Sequence, residues 1–169
     1  MIDTAQNLKM KVTGLTIDPF TNMPIVILKD EAEQTALPIW IGLIEASSIA
    51  TELEKVELSR PMTHDLMKQV FEKMGVAIEN VEIYDLADKT FFAKIHFSSP
   101  QESFALDSRP SDAIALALRA KAQIWVSKKV LEKSRKAEQA MPSDHELQSR
   151  KWTEILENLT PEDFGKYKM

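Results

Sequence analysis

Apolar residues recur along the chain with two periods, every second position in some stretches and every third or fourth in others, and the switches between them outline the elements. Met10, Val12, Leu15 and Ile17 form an alternation broken at Gly14, which predicts a strand with a bulge. Turn residues follow at Asp18, Pro19 and Asn22, and then the run Ile25, Val26, Ile27 and Leu28 suits a short buried strand. Leu37, Pro38, Ile39, Trp40 and Ile41 read as a third strand. Because Pro38 cannot donate to a ladder, that strand is expected at an edge.

The period then lengthens. Ala46, Ile49, Ala50, Leu53 and Val56 fall at helical spacing and predict a helix over 43–57. A second helix is expected after Arg60 and Pro61, with Leu66, Met67, Val70, Phe71 and Met74 on one face and Gly75 as its stop. Residues 76–84 change phase midway, as a bulged strand or a turn and strand would, and 85–89 read as a hairpin turn. Phe91, Ala93, Ile95 and Phe97 alternate with Phe92, Lys94 and His96 in a further strand, and 102–106 suit another. After Arg109 and Pro110, the residues Ala113 to Leu118 are apolar on every side, the mark of a helix buried in the core. Ile124 to Val126 predict a last strand, 130–135 a helical turn or more, and 136–144 a linker. Leu147, Trp152, Ile155, Leu156 and Leu159 restore helical spacing in the tail. The pattern is that of an α+β protein, a mixed and mostly antiparallel sheet packed with three helices plus a short C-terminal helix. The main domain is expected over 1–135, with a linker and helical tail over 136–169.

Composition narrows the chemistry. The 169 residues carry 44% hydrophobic and 28% charged side chains, which suits a globular domain, and they contain no cysteine. Thiolate nucleophiles, disulfides and zinc-thiolate sites are thereby excluded. No apolar run is long enough to span a bilayer and the first ten residues lack a signal pattern, so a cytoplasmic protein without a membrane partner is expected. A net charge of -5 repels a phosphate backbone, so contact with nucleic acid requires a local basic patch or a neutralising metal.

Two segments echo each other. Arg60-Pro61-Met62-Thr63-His64-Asp65 and Arg109-Pro110-Ser111-Asp112 each place Arg-Pro before a hydroxyl residue and an acid, and then a helix begins. Proline suits a first helical turn, Thr63 or Ser111 can accept from free helix N-H groups, and Asp65 or Asp112 favours the positive helix end. Two ordinary helix starts with ion-paired arginines satisfy this pattern. So does a phosphate site: Arg60, Arg109 and Ser111 at helix N-termini suit phosphate oxygens, Asp107 and Asp112 are hard ligands for magnesium or manganese, and His64 suits a general base. The expectation is that both corners line one cleft. The basic run Lys128, Lys129, Lys133, Arg135 and Lys136 reads as a solvated face, and His96 as a residue of the sheet surface.

The runs Leu37 to Gly42, Glu45-Ala46, Arg60 to Leu66, Val81 to Leu86, Thr90 to Ala93 and Asp107 to Arg119 resemble, in order, the bifunctional nuclease family, also called DUF151. The resemblance covers about residues 9–131. It implies a mixed α+β domain that self-associates, a homo-oligomer with a dimer favoured, and a hydrolase acting on RNA and DNA with low base specificity. Glu45, Arg60, His64, Asp65, Asp107, Arg109 and Asp112 all fall at matching positions, and Glu45 thereby joins His64, Asp107 and Asp112 as a catalytic candidate. The alternative is a non-catalytic oligomeric scaffold or small-ligand-binding protein in which the Arg-Pro segments serve the fold.

Overall fold

The computed structural model describes residues 2–139, and the expected tail helix lies outside them. Seven strands form one sheet in the order β3-β2-β1-β7-β4-β5-β6. The strands are β1 (Asn7–Ile17), β2 (Pro24–Asp30), β3 (Ala36–Trp40), β4 (Ala77–Ala87), β5 (Thr90–Ser98), β6 (Ser103–Ser108) and β7 (Gln123–Ser127). All neighbours are antiparallel except β4 and β7, which the crossover through a helix makes parallel. The helices are α1 (Leu43–Leu53), α2 (Thr63–Lys73), α3 (Pro110–Ala120) and α4 (Lys128–Gln139). The mixed, mostly antiparallel α+β architecture is therefore as the sequence predicts.

The details follow from local chemistry. The β1–β2 register shifts between Val12 and Gly14, the bulge announced by the broken alternation. The turn between these strands is closed by Asp18, whose carboxylate accepts from the Phe20 N-H at 2.9 Å and from the Trp40 indole at 2.9 Å. Strand β3, with Pro38, occupies the sheet edge as expected. Residues 76–84 resolve into a single bulged strand, and the hairpin turn shrinks to Asp88 and Lys89, both at positive φ.

Helix α3 is the centre of the core, with Ala113, Ile114, Ala115, Leu116 and Ala117 at most 1% exposed. It packs against β4, β5 and β7, and α1 and α2 pack against it. Helix α1 stops at Leu53 rather than near residue 57, because Lys55 turns left-handed at φ 53° and the Val56 N-H returns to the Thr51 carbonyl at 3.0 Å. Helix α4 runs to Gln139 and so continues into the stretch expected as linker. Helix α2 has no buried residue; Leu66, Val70 and Met74 on its predicted apolar face are exposed, and Phe71 attaches it by packing edge-on to Phe97, ring centres 5.0 Å apart.

Candidate active site

The first turns of α1, α2 and α3 meet at one corner of the molecule. Arg109 is the N-cap of α3 and Pro110 its first residue, so the fixed backbone of the proline sets where the guanidinium points. Its Nε donates to Asp112 Oδ2 at 2.7 Å, its Nη2 to Asp112 Oδ1 at 3.2 Å, and its Nη1 to Glu45 Oε1 on α1 at 2.7 Å. Two of its five N-H groups have no partner among the described residues. With the side chain 65% exposed, they face solvent. Gly42, the N-cap of α1, makes room for Glu45, because a Cβ there would collide with the Glu45 carboxylate.

His64, from the first turn of α2, bridges the other two helices. Its Nε2 lies 3.1 Å from Asp112 Oδ1 and its Nδ1 lies 2.8 Å from the Ser48 hydroxyl of α1. Because a carboxylate only accepts, the ring proton belongs on Nε2, and Ser48 then donates to Nδ1. Asp112 thus holds both Arg109 and His64. Burial alone pushes its carboxyl up, but the hydrogen bonds from Arg109 and His64 and their charges outweigh that and hold its pKa below the ordinary value. The hydrogen bonds to Asp112 and Glu45 raise the Arg109 pKa further, so the guanidinium stays charged.

A second ion pair lies behind the first. Arg119, in the last turn of α3, is 8% exposed and donates from Nε to Asp65 at 2.6 Å, from Nη1 to the Ala115 carbonyl at 3.0 Å and from Nη2 to the Ser48 carbonyl at 3.1 Å. Asp65 also accepts from the Met62 N-H at 2.9 Å. Burial works to raise its pKa, but these hydrogen bonds and the charges of Arg119 and His64 hold it below the usual carboxylate value. Ser48 and Arg119 were not singled out in the sequence. A lone arginine closing a helix that is apolar all round was the available signal for Arg119, since only a built partner allows it there.

Four predicted site residues are therefore joined: Glu45, His64, Arg109 and Asp112. Asp107 is not among them; it lies on β6 and accepts from the Tyr84 hydroxyl at 3.2 Å. Ser111 is 6% exposed, beneath the helix start rather than at its surface. Neither it nor Thr63 caps a helix: both lie within the first turn, and the N-caps are Arg109 and Met62. Arg60 lies apart from Arg109 and lines a separate polar cavity with Asp65 and Arg119. The α2 and α3 starts do converge, but through His64 and Asp112 rather than through the two arginines. Arg109 takes both oxygens of Asp112 and Oε1 of Glu45, so as arranged the cluster does not offer a divalent ion a set of free carboxylate oxygens. Among the described residues no group of three or more His, Cys, Asp or Glu side chains is placed to hold one.

In the basic run, Lys129 and Lys133 reach Asp85 at 3.1 and 2.7 Å. They hold its carboxyl well below the ordinary range. His96 lies on the sheet face, 3.2 Å from Glu82.

The family model for the bifunctional nuclease domain matches residues 26–139, from β2 to the end of α4. The chain belongs to this family. An uncharacterized protein of Mycobacterium tuberculosis is 33% identical over 162 residues, which cover 92% of this chain and 97% of that one. Bifunctional nuclease 1 of Arabidopsis thaliana is 31% identical over 110 residues, 62% of this chain and 34% of the plant protein. Bifunctional nuclease 1 of Oryza sativa subsp. japonica is 26% identical over 109 residues, 63% of this chain and 33% of its own length. The family bond with the plant nucleases thus rests on about a third of their length. Among the described residues no helix is long and apolar enough to cross a membrane.

Proposed function

We propose that the chain is a phosphodiesterase that hydrolyses RNA and DNA with low base specificity, acting at the Glu45, His64, Arg109 and Asp112 cluster. The observation that carries this reading is the exposed Arg109 guanidinium, fixed by two carboxylates beside a histidine, in a member of the bifunctional nuclease family. The two unpartnered N-H groups of Arg109 suit the non-bridging oxygens of one phosphate, where charge builds as water attacks phosphorus and the bond to the leaving sugar oxygen breaks. His64 accepts the water's proton at Nδ1, and the departing sugar oxygen takes a proton from solvent. With the ring proton on Nε2 and held by Asp112, the basic nitrogen is Nδ1, so this step requires the water to displace the Ser48 hydroxyl that now donates to it at 2.8 Å. No base edge is contacted in this scheme, consistent with low sequence preference.

The test incubates purified protein with single-stranded and double-stranded RNA and DNA, with magnesium, with manganese or with chelator, beside Arg109→Ala and Asp112→Ala. Turnover by wild type, lost in both variants, is the expected result, and the metal arms assign any dependence on magnesium or manganese. Activity equal in all three proteins would place the chemistry elsewhere.

A second reading is a non-catalytic oligomeric scaffold, and one observation favours it: the cluster's charges are already matched to one another. We also propose self-association through α2, since Met62, Leu66, Val70 and Met74 form a solvent-facing stripe at four-residue spacing along its whole length. Light scattering on Val70→Glu beside wild type tests it; a dimer reduced to monomer is expected, and an unchanged mass refutes it.

A further inference from the structure

His64 and Asp65 are consecutive, yet they serve opposite sides of the α2 start. His64 reaches the Arg109 cluster, while Asp65 reaches Arg119 at the wall of a cavity of about 330 Å³. Arg60, Arg119, Asp65, Ser59, Thr51 and Gln69 are among its lining residues. The charge balance there is unusual for a chain of net charge -5. Arg60 has no ion-pair partner among the described residues. Asp65 is saturated by Arg119 and the Met62 N-H, and the remaining acid, Glu52, is paired to Lys55. The charges of the lining residues sum to zero, and Arg60 is the one among them without a pair. Arg119, which also lines the cavity, makes one hydrogen bond from each of its three nitrogens, so two of its five N-H groups, on a side chain only 3% exposed, have no partner among the described residues. Buried donors of this kind are strongly disposed to find an acceptor.

We propose that Arg60 and Arg119 form an anion subsite that takes the terminal phosphate monoester of a nucleic-acid end. Arg60 supplies the unpaired charge, Arg119 the buried donors, and Gln69 and Ser59, also in the lining, neutral hydrogen bonds. The choice of a nucleic-acid end rests on the proposed nuclease activity, and the anion chemistry does not. A chain whose terminal phosphate enters here passes the α2 start, which makes phosphorylated ends the preferred substrates.

The experiment is calorimetric titration of the full chain with inorganic phosphate, with a 5′-phosphorylated and a 3′-phosphorylated dinucleotide, and with the unphosphorylated dinucleotide. Wild type is compared with Arg60→Ala, an exposed loop change with no bond to lose, and with Gln69→Leu. Phosphorylated dinucleotide binding that falls at least about tenfold in Arg60→Ala, with weaker binding of the unphosphorylated form, is the expected result. Equal affinity for inorganic phosphate and phosphorylated dinucleotide would overturn the nucleic-acid end as the ligand. Binding unchanged in Arg60→Ala, or no phosphate binding by wild type, would overturn the subsite, and cleavage that persists in that case leaves the nuclease reading standing. Binding dependent on Arg60 without any cleavage supports the subsite and removes the nuclease reading.

Discussion

Breaking the Asp65–Arg119 pair from its two sides has unequal effects, because the partners are buried to different depths. The Arg119 side chain is 3% exposed and that of Asp65 is 29% exposed. Asp65→Asn leaves an almost fully buried cation without its counter-charge, the situation that costs about 3–5 kcal/mol. One retained acceptor oxygen places the expected loss near the lower end, about 3 kcal/mol. Arg119→Met leaves a carboxylate that water still reaches and that keeps the Met62 N-H, while methionine preserves much of the stem packing and the helix propensity. The remaining cost, an unpaired Asp65 and the lost donors to the Ser48 and Ala115 carbonyls, is about 2 kcal/mol. In the double variant neither charge is left alone, so it should resemble Arg119→Met rather than the sum, with a coupling of about 2 kcal/mol or more. Urea unfolding followed by tryptophan fluorescence measures all four proteins, with equal m-values as the check on a common unfolded state. Losses that add to within about 0.5 kcal/mol, or an Asp65→Asn cost below that of Arg119→Met, would refute the reasoning.

Other consequences are as direct. Phe71 is the attachment of an otherwise exposed helix, so Phe71→Ala should cost roughly 2–3 kcal/mol in urea unfolding, less than the 3–5 of a fully buried aromatic. Gly42→Ala should displace Glu45 from Arg109 and lower cleavage several-fold while the melting temperature holds, since Gly42 has an ordinary φ of -72°. The Asp112 carboxyl is held below its ordinary value of 3.8, so its contribution to stability is fully present above that pH and is lost as pH falls through the lower folded-state value. The stability difference between wild type and Asp112→Asn should therefore shrink as unfolding is measured at successively lower pH, and a difference that persists below both values contradicts this.

Much of the fold was legible because periodicity and punctuation agree. Gly14 marked the bulge, Pro38 the edge strand and Gly75, at φ 71°, the end of α2. The misread end of α1 has a physical cause. Helices α1, α2 and α3 close with the same pair of backbone bonds, for example Val56 to Thr51, Val76 to Phe71 and Ala122 to Ala117, but Lys55 and Lys121 take the left-handed position that glycine usually marks. Helix α4 overran the expected linker because Lys136 to Gln139 carry no helix breaker. The site was half legible: Arg109, Asp112, His64 and Glu45 lie at helix starts whose meeting depends on tertiary packing, which no local spacing encodes. That packing also sent Arg60 to another cavity and left Asp107 with Tyr84. Ser48 and Arg119 escaped notice because a hydroxyl in a helix and a cation at its end are locally ordinary.

The central claim, that the Arg109 and Asp112 cluster is where a phosphodiester is hydrolysed, is tested most directly by single-turnover cleavage of a fluorescent single-stranded oligonucleotide. Wild type and Asp112→Asn are compared at a pH where both are folded. A rate at least about a hundredfold lower in Asp112→Asn is predicted, because the variant loses the charge that orients both Arg109 and His64. Equal rates in two equally folded proteins would contradict the account.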